Sequence, residues 1–249
     1  MRSGIGQHEN DKRWMRAALA EARKAEGRTG TNPPVGCVLI SPDNKLIAAG
    51  HTKPNGRPHA EAVALAEARS AGLAHRVVGG TAYVTLEPCA HHGKTPPCAE
   101  ALRDAGIARL VYALNDPDER VNGKGIAYLR AASVEIASDF MTEFALDITS
   151  GFIYNKLKNR PFFTSKIATS EDGFIAKAAG EQYWLTGDVS RRFVHDLRSR
   201  VDAVLTGSGT VLADNPQMTC RVPGIGHQPH RIILDSSARV PLSSHLVRD

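Results

Sequence analysis

Short apolar runs and helical stretches alternate along this chain, and that alternation constrains its fold more than any other feature. Met15, Ala18, Leu19, Ala22 and Ala25 recur at helical spacing behind a capping residue, Asn10 or Asp11. They predict a helix running to about Glu26, with Gly27 as its stop. Val35–Ile40 and Leu46–Ala49 read as strands on either side of the turn Pro42-Asp43-Asn44. There follow a helix near Ala60–Ala71, a strand Ala82–Leu86, a helix near Cys98–Ala105 and a strand Leu110–Leu114. A helix near Gly125–Ala132, a strand Val134–Ile136 and a helix over Phe140–Lys158 complete the series. Such a pattern predicts an α/β layer fold with helices covering a largely parallel sheet.

Lys158-Asn159-Arg160-Pro161 interrupts the last helix, and the boundary between two domains is placed there. The expected division is residues 1–150, a linker at 151–160, and a second α/β domain at 161–249. The second segment reads as a strand Phe162–Ile167, a turn Glu171-Asp172-Gly173 and a helix near Val189–Arg200. A strand Ala203–Thr206, a Gly-rich loop and a strand Arg231–Leu234 follow.

No apolar run approaches the ~18 residues of a membrane helix, and Met1 to Trp14 carries no apolar signal core. Cytoplasm is the expected compartment. The 4 cysteines are too sparse for a disulfide scaffold and suit metal binding or a core. A net charge of +5 favours anionic partners. No long basic run or interleaved aromatic stripe marks a nucleic-acid surface. Arg191-Arg192 and Arg198-Ser199-Arg200 fit a solvated helix face and a phosphate site equally well.

His59-Ala60-Glu61, Pro88-Cys89 and Cys98 carry the chemistry. Zinc at a catalytic site takes three nitrogen or sulfur ligands and leaves a fourth position for water. His59, Cys89 and Cys98 supply three, and Glu61 is left free to move protons. Zinc-dependent nucleobase deaminases divide the labour in this way, so hydrolytic deamination of an amino-substituted heterocycle is the leading expectation. A structural zinc site would need a fourth ligand, for which His51, His91 and His92 are at hand. Eight residues separate the cysteines here, Ala90 to Pro97, where the general deaminase pattern has two. The insertion carries His, Lys and Thr, which suits a polar or phosphorylated substrate.

Three stretches make the pattern specific. Thr31-Asn32-Pro33-Pro34-Val35-Gly36-Cys37-Val38, Gly56-Arg57-Pro58-His59-Ala60-Glu61-Ala62, and the run from Thr85-Leu86-Glu87-Pro88-Cys89 to Pro96-Pro97-Cys98 closely resemble the bifunctional deaminase–reductases of riboflavin biosynthesis. The resemblance covers nearly the whole chain from about Trp14 and includes the long cysteine spacing. It implies a cytidine-deaminase-like three-layer domain followed by a dihydrofolate-reductase-like α/β domain. It also implies deamination of 2,5-diamino-6-(5-phosphoribosylamino)pyrimidin-4(3H)-one, with His59, Cys89 and Cys98 on zinc and Glu61 as proton shuttle. Asn32, His51, His92 and Lys94 match substrate-contact positions. Cys37 reads as inert core and Cys220 as partnerless.

In the second half the resemblance is carried by Arg160-Pro161-Phe162, Lys166 to Gly173, Tyr183-Trp184-Leu185-Thr186-Gly187, Gly207 to Pro216 and Asp235-Ser236. It implies NADPH-dependent reduction of the ribosyl side chain. Thr169, Trp184, Thr210, Asp214 and Ser236 would line the cofactor site; Gln182, Arg198, Met218 and Arg221 would line the substrate site. Without the resemblance, Gly207-x-Gly209 is a weak phosphate-loop signal and Trp184 reads as core. Family members continue beyond the equivalent of Asp249, so the expectation is a complete deaminase site and a partial reductase domain. The partners implied are a small phosphorylated pyrimidine and further copies of the chain, with no nucleic acid and no membrane. Two rivals remain at this stage: a tRNA or nucleoside deaminase, and a zinc-stabilised binding protein without catalysis.

Overall fold

The computed structural model describes residues 2–91, 96–176 and 184–248, with side chains from residue 6 onward. The chain divides into two compact units, Met1–Phe162 and Phe163–Asp249.

The first unit is built on a five-stranded sheet in the order β2-β1-β3-β4-β5. The strands are β1 (Gly36–Ile40), β2 (Leu46–His51), β3 (Thr81–Val84), β4 (Arg109–Tyr112) and β5 (Glu135–Ala137). Its helices are α1 (Arg2–Arg23), α2 (Ala60–Ser70), α3 (Cys98–Asp104), α4 (Lys124–Ala131) and α5 (Thr142–Lys158). The sheet is mixed, not largely parallel as the sequence pattern predicts: β2-β1-β3 run antiparallel and only β3-β4-β5 are parallel. The reason lies in the connections. A tight turn joins β1 to β2 and forces them antiparallel, whereas helical crossovers lead into β4 and β5.

Two glycines show how the layers meet. Gly36 and Cys37 are successive on β1 and therefore face opposite sides of the sheet. A Cβ at Gly36 would lie 1.9 Å from the Ala18 carbonyl oxygen, so α1 presses on that face. Gly50 pairs with Cys37, and a Cβ there would lie 2.6 Å from the Ala64 nitrogen, so α2 presses on the other. α5 contacts α1, while α3 contacts both α2 and α4. The result is three layers, as expected. Met15, Leu39, Leu102, Leu110 and Leu129 are fully buried between them, each contributing roughly 1.5–3 kcal/mol.

α1 starts well before the Asn10 or Asp11 cap that the sequence suggests. Asp11 is not a cap. Its carboxylate turns inward to Tyr83 and Arg109 and is 1% exposed. α5 runs through residues 151–158, so most of the expected linker is helix.

The second unit holds α6 (Asp188–Ser199), β6 (Ala203–Gly207), α7 (Ser208–Asp214), β7 (His230–Leu234) and α8 (His245–Arg248). β6 and β7 pair in parallel. The strand expected over Phe162–Ile167 does not form among the described residues; apolar β-propensity without a ladder partner is not enough. The expected Gly-rich loop is also replaced: Gly207 caps α7 directly, and residues 208–214 are helical. Among the described residues no helix is long and apolar enough to cross a membrane.

Candidate metal centre and the second-unit cleft

His59 is the N-cap of α2, in extended conformation. An N-cap side chain usually accepts a backbone N–H of the first turn. That of His59 does not, and its ring is turned to two sulfurs instead. Cys89 follows β3 on the segment Thr85–Pro88. Cys98 opens α3 behind Pro96-Pro97, as the helix-opening signal predicts. His59 Nδ1 lies 3.6 Å from Cys89 Sγ and 3.3 Å from Cys98 Sγ. All three donor atoms fall within 4.8 Å of one another.

These spacings fit a tetrahedral ion. With Zn–S about 2.3 Å and Zn–N about 2.0 Å, a tetrahedron has N···S edges of about 3.5 Å. One imidazole and two thiolates are also a donor set that zinc prefers. Among the described residues the cluster consists of these three; neither His51 nor His91 joins it. His92, the remaining candidate for a fourth ligand, lies outside the described residues.

The backbone N–H of Cys98 donates to Cys89 Sγ at 3.4 Å. Hydrogen bonding from the Cys98 thiol, with His59 beside it, pulls the Cys89 thiol down to about 4 against the effect of burial. Cys98 moves the opposite way, pushed up by its partner sulfur and by burial. Glu61 sits in the first turn of α2, 4% exposed. Burial and the Cys89 charge raise its carboxyl to about 6. Cys37 is fully buried on the face that α2 covers, and its thiol is pushed up by burial and by Glu61, which leaves it inert as expected.

The other sequence-designated positions of this unit are less closely tied to the cluster. Asn32 packs its amide against Gly56, and its backbone N–H bonds Thr29. His51 ends β2 opposite Gly36, whose backbone bonds Thr85 on the way to Cys89. Its Nδ1 lies 3.0 Å from Glu21 Oε2. Both line a cavity of about 360 Å³ that includes none of His59, Glu61, Cys89 or Cys98. Lys94 also falls outside the described residues. Sequence reasoning missed Glu21, which meets His51, and Glu87, whose carboxylate is buried two residues before Cys89.

In the second unit Arg198, Met218 and Arg221 come together. Arg198 Nη1 donates to the Thr219 carbonyl at 3.0 Å, and Nη2 lies 3.4 Å from Met218 Sδ. Arg221 N–H donates to His195 Nδ1 at 3.3 Å. Burial and the charges of Arg221 and Arg198 hold His195 below the ordinary histidine range. A cleft of about 300 Å³ is lined by Trp184, Asp188, Arg191, Arg192, His195 and Arg221. Arg191 and Arg192 of α6 therefore line a cavity, while Arg198 and Arg200 are not in its lining. Trp184 is exposed there, against Arg191, and is not core. Thr169, Thr210, Asp214 and Ser236 are all exposed and lie on three separate segments. Gln182 lies outside the described residues. Cys220 is buried and has no cysteine partner.

A three-layer domain with a His/Cys/Cys cluster and a buried glutamate is the architecture of zinc-dependent deaminases of the cytidine type, here followed by a second α/β domain. Residues 8–114 match the cytidine and deoxycytidylate deaminase zinc-binding region, and residues 161–249 match the RibD C-terminal domain. The chain belongs to the RibD family of riboflavin biosynthesis proteins. It is 40% identical over 239 residues to the RibD protein of Aquifex aeolicus and 39% identical over 242 residues to that of Escherichia coli. Those alignments take in 96% and 92% of this chain. The chain spans 65% and 64% of the length of those two relatives. Among solved structures, RibD of Acinetobacter baumannii superposes with a TM-score of 0.86 at 39% identity, over 97% of this chain and 68% of that one. The deaminase/reductase of Thermotoga maritima gives 0.85 at 40%, over 92% and 64%.

Proposed function

We propose that the first unit deaminates a phosphoribosylated diaminopyrimidine, with His59, Cys89 and Cys98 as zinc ligands and Glu61 as the proton carrier. The convergence of the three donor atoms beside a buried carboxylate, Glu61, which is hydrogen-bonded to Cys98, supports this reading most. When bound, zinc supplies a Lewis acid that brings the ionisation of water to about pH 7. His59 holds its place through Nδ1, fixed by its position at the head of α2. Glu61 accepts a proton from the water and passes it to a ring nitrogen of the substrate. A C–O bond forms at the amine-bearing carbon. Glu61 then takes the proton of the newly bonded hydroxyl and delivers it to the exocyclic amine; the C–N bond breaks, the oxygen becomes the product carbonyl, and ammonia leaves. Burial of Glu61 keeps bulk water from competing for that proton. Asn32, His51, His92 and Lys94 are assigned to substrate binding.

For the second unit the proposed activity is reduction of the ribosyl side chain to ribityl. Arg198, Met218, Arg221 and Gln182 are assigned to the substrate, with the two guanidiniums suited to its phosphate. Thr169, Trp184, Thr210, Asp214 and Ser236 are assigned to NADPH, which supplies the hydride when bound. The electropositive cleft around His195 supports this assignment. Residues 1–150 and 161–249 are the proposed extents of the two activities, in a cytoplasmic homo-oligomer that binds no nucleic acid. The test is a metal count together with ammonia release from the phosphoribosylated diaminopyrimidine, from cytidine and from adenosine in RNA. One zinc per chain and release from the first substrate alone are expected. Release from cytidine or RNA instead would overturn the substrate assignment.

A further inference from the structure

Glu87 is 3% exposed, and a buried carboxylate is costly unless it is fully hydrogen-bonded. It is. Oε2 accepts the backbone N–H of Gly123 at 3.0 Å and of Asp116 at 3.4 Å. Oε1 accepts those of Gly125 at 3.2 Å and Ile126 at 3.5 Å. The Glu87 N–H donates to Leu114 O at 2.8 Å. One side chain thus ties the segment carrying Cys89 to the loop after β4 and to the first turn of α4, whose unpaired N–H groups and dipole favour a negative charge.

The next residue is held by the same helix turn. A Cβ on Gly125 would stand 1.9 Å from the Pro88 carbonyl oxygen. Gly125 is helical, without a positive φ, so its backbone does not require glycine. The contact with Pro88 does. Glu87 is fastened and Pro88 is backed against α4, leaving Cys89 as the first residue beyond the grip.

We infer that Glu87 and Gly125 form a clamp that positions Cys89 for the metal, making α4 and the loop before it a remote support of the centre. This rests on the zinc assignment above. Neither residue touches the donor atoms; both are positioning residues. Outer partners of metal ligands typically change affinity by roughly 10–100-fold when replaced. The coupling must also be reciprocal, so zinc should stabilise the clamp as the clamp stabilises zinc.

The test begins with the unaltered protein. Adding zinc to the metal-free chain should slow hydrogen exchange at the Gly123, Gly125 and Ile126 amides as well as at Cys98. Glu87→Gln sets an amide NH2 against backbone donors, and Gly125→Ala pushes on Pro88. Each should release zinc to a chelator at least tenfold faster, and the cobalt-loaded variants should show shifted thiolate charge-transfer bands. Asp11→Asn, on the α1 side of the sheet, controls for general loss of stability and should move neither readout. Unchanged exchange at the three α4 amides on zinc binding would overturn the clamp. So would a folded Glu87→Gln or Gly125→Ala protein with wild-type release and spectrum. If the unaltered chain takes up no zinc, or His59→Ala takes up as much, the metal assignment fails instead.

Discussion

Arg109 meets Asp11 with two parallel hydrogen bonds, Nη1 to Oδ1 at 2.7 Å and Nη2 to Oδ2 at 2.9 Å. Tyr83 adds its hydroxyl to Oδ1 at 2.8 Å, and Arg109 Nε reaches Glu135 at 2.9 Å. One carboxylate therefore binds α1 to β3 and β4. Burial pushes the Asp11 pKa up, but the bonds from Arg109 and Tyr83 outweigh it and hold it below the usual carboxylate range. The lowered value means that the folded state favours the ionised form. This stabilisation is fully present above the unfolded pKa of about 3.9 and is lost as pH falls through the folded value. Asp11→Ala should cost about 3 kcal/mol at pH 7, the lower end for a broken buried pair, because Arg109 keeps Glu135. Urea denaturation of both proteins should show the gap closing below pH 4; a gap constant with pH would refute the ionic account.

Glu61→Gln should retain one zinc per chain and lose ammonia release by about 10²–10⁴-fold, the usual contribution of a placed proton carrier. A metal count with a turnover assay decides it. Surviving turnover would remove Glu61 from the mechanism.

Stripping zinc should lower the melting temperature of the first unit, and adding zinc back should restore it. At free zinc 100 times the dissociation constant the linkage is worth about 2.7 kcal/mol. Cys89→Ser should abolish the response. A calorimetric scan insensitive to zinc in the unaltered chain would mean that the cluster holds no ion.

Two glycines should respond oppositely to alanine. Gly36→Ala places a methyl group 1.9 Å from the Ala18 carbonyl oxygen and 2.6 Å from the Ala22 nitrogen. Both are backbone atoms of α1 and cannot rotate away, so a loss of about 3 kcal/mol is expected, the upper range for overpacking. Gly151, within α5, has no heavy atom within 4 Å of such a Cβ apart from its chain neighbours and its own helix backbone. Gly151→Ala should stabilise by about 0.5–1 kcal/mol through helix propensity. Thermal unfolding of the two variants should diverge in sign.

Much of the first unit is legible in the sequence because periodicity and punctuation agree there. The expected helix near Ala60–Ala71 is α2, and the one near Cys98–Ala105 is α3. The His59, Cys89 and Cys98 grouping is legible too: His59 and Cys98 sit at helix starts that their neighbours mark, and Cys89 follows Pro88 in the segment after β3. An acidic residue before an apolar stripe, as Asp11 is, has the pattern of a cap, and only tertiary structure shows it paired with Arg109. Helix–strand alternation points to a largely parallel sheet, whereas the turn Pro42-Asp43-Asn44, visible in the same sequence, is what makes β1 and β2 antiparallel. Phe162–Ile167 has strand composition, but pairing is a property of two segments, and one segment cannot reveal it. Glu87 and Gly125 carry no local signal because their partnership spans 38 residues of chain.

The paired strands β1 and β2 are held from both sides at adjoining positions, by α1 at Gly36 and by α2 at Gly50. Neither grip leaves room for a single extra carbon. This part of the molecule behaves as a fixed jaw, and any adjustment to a ligand has to be made by the segments at the ends of the strands. A redesign for another heterocycle would have its freedom there, and none in the sandwich beneath.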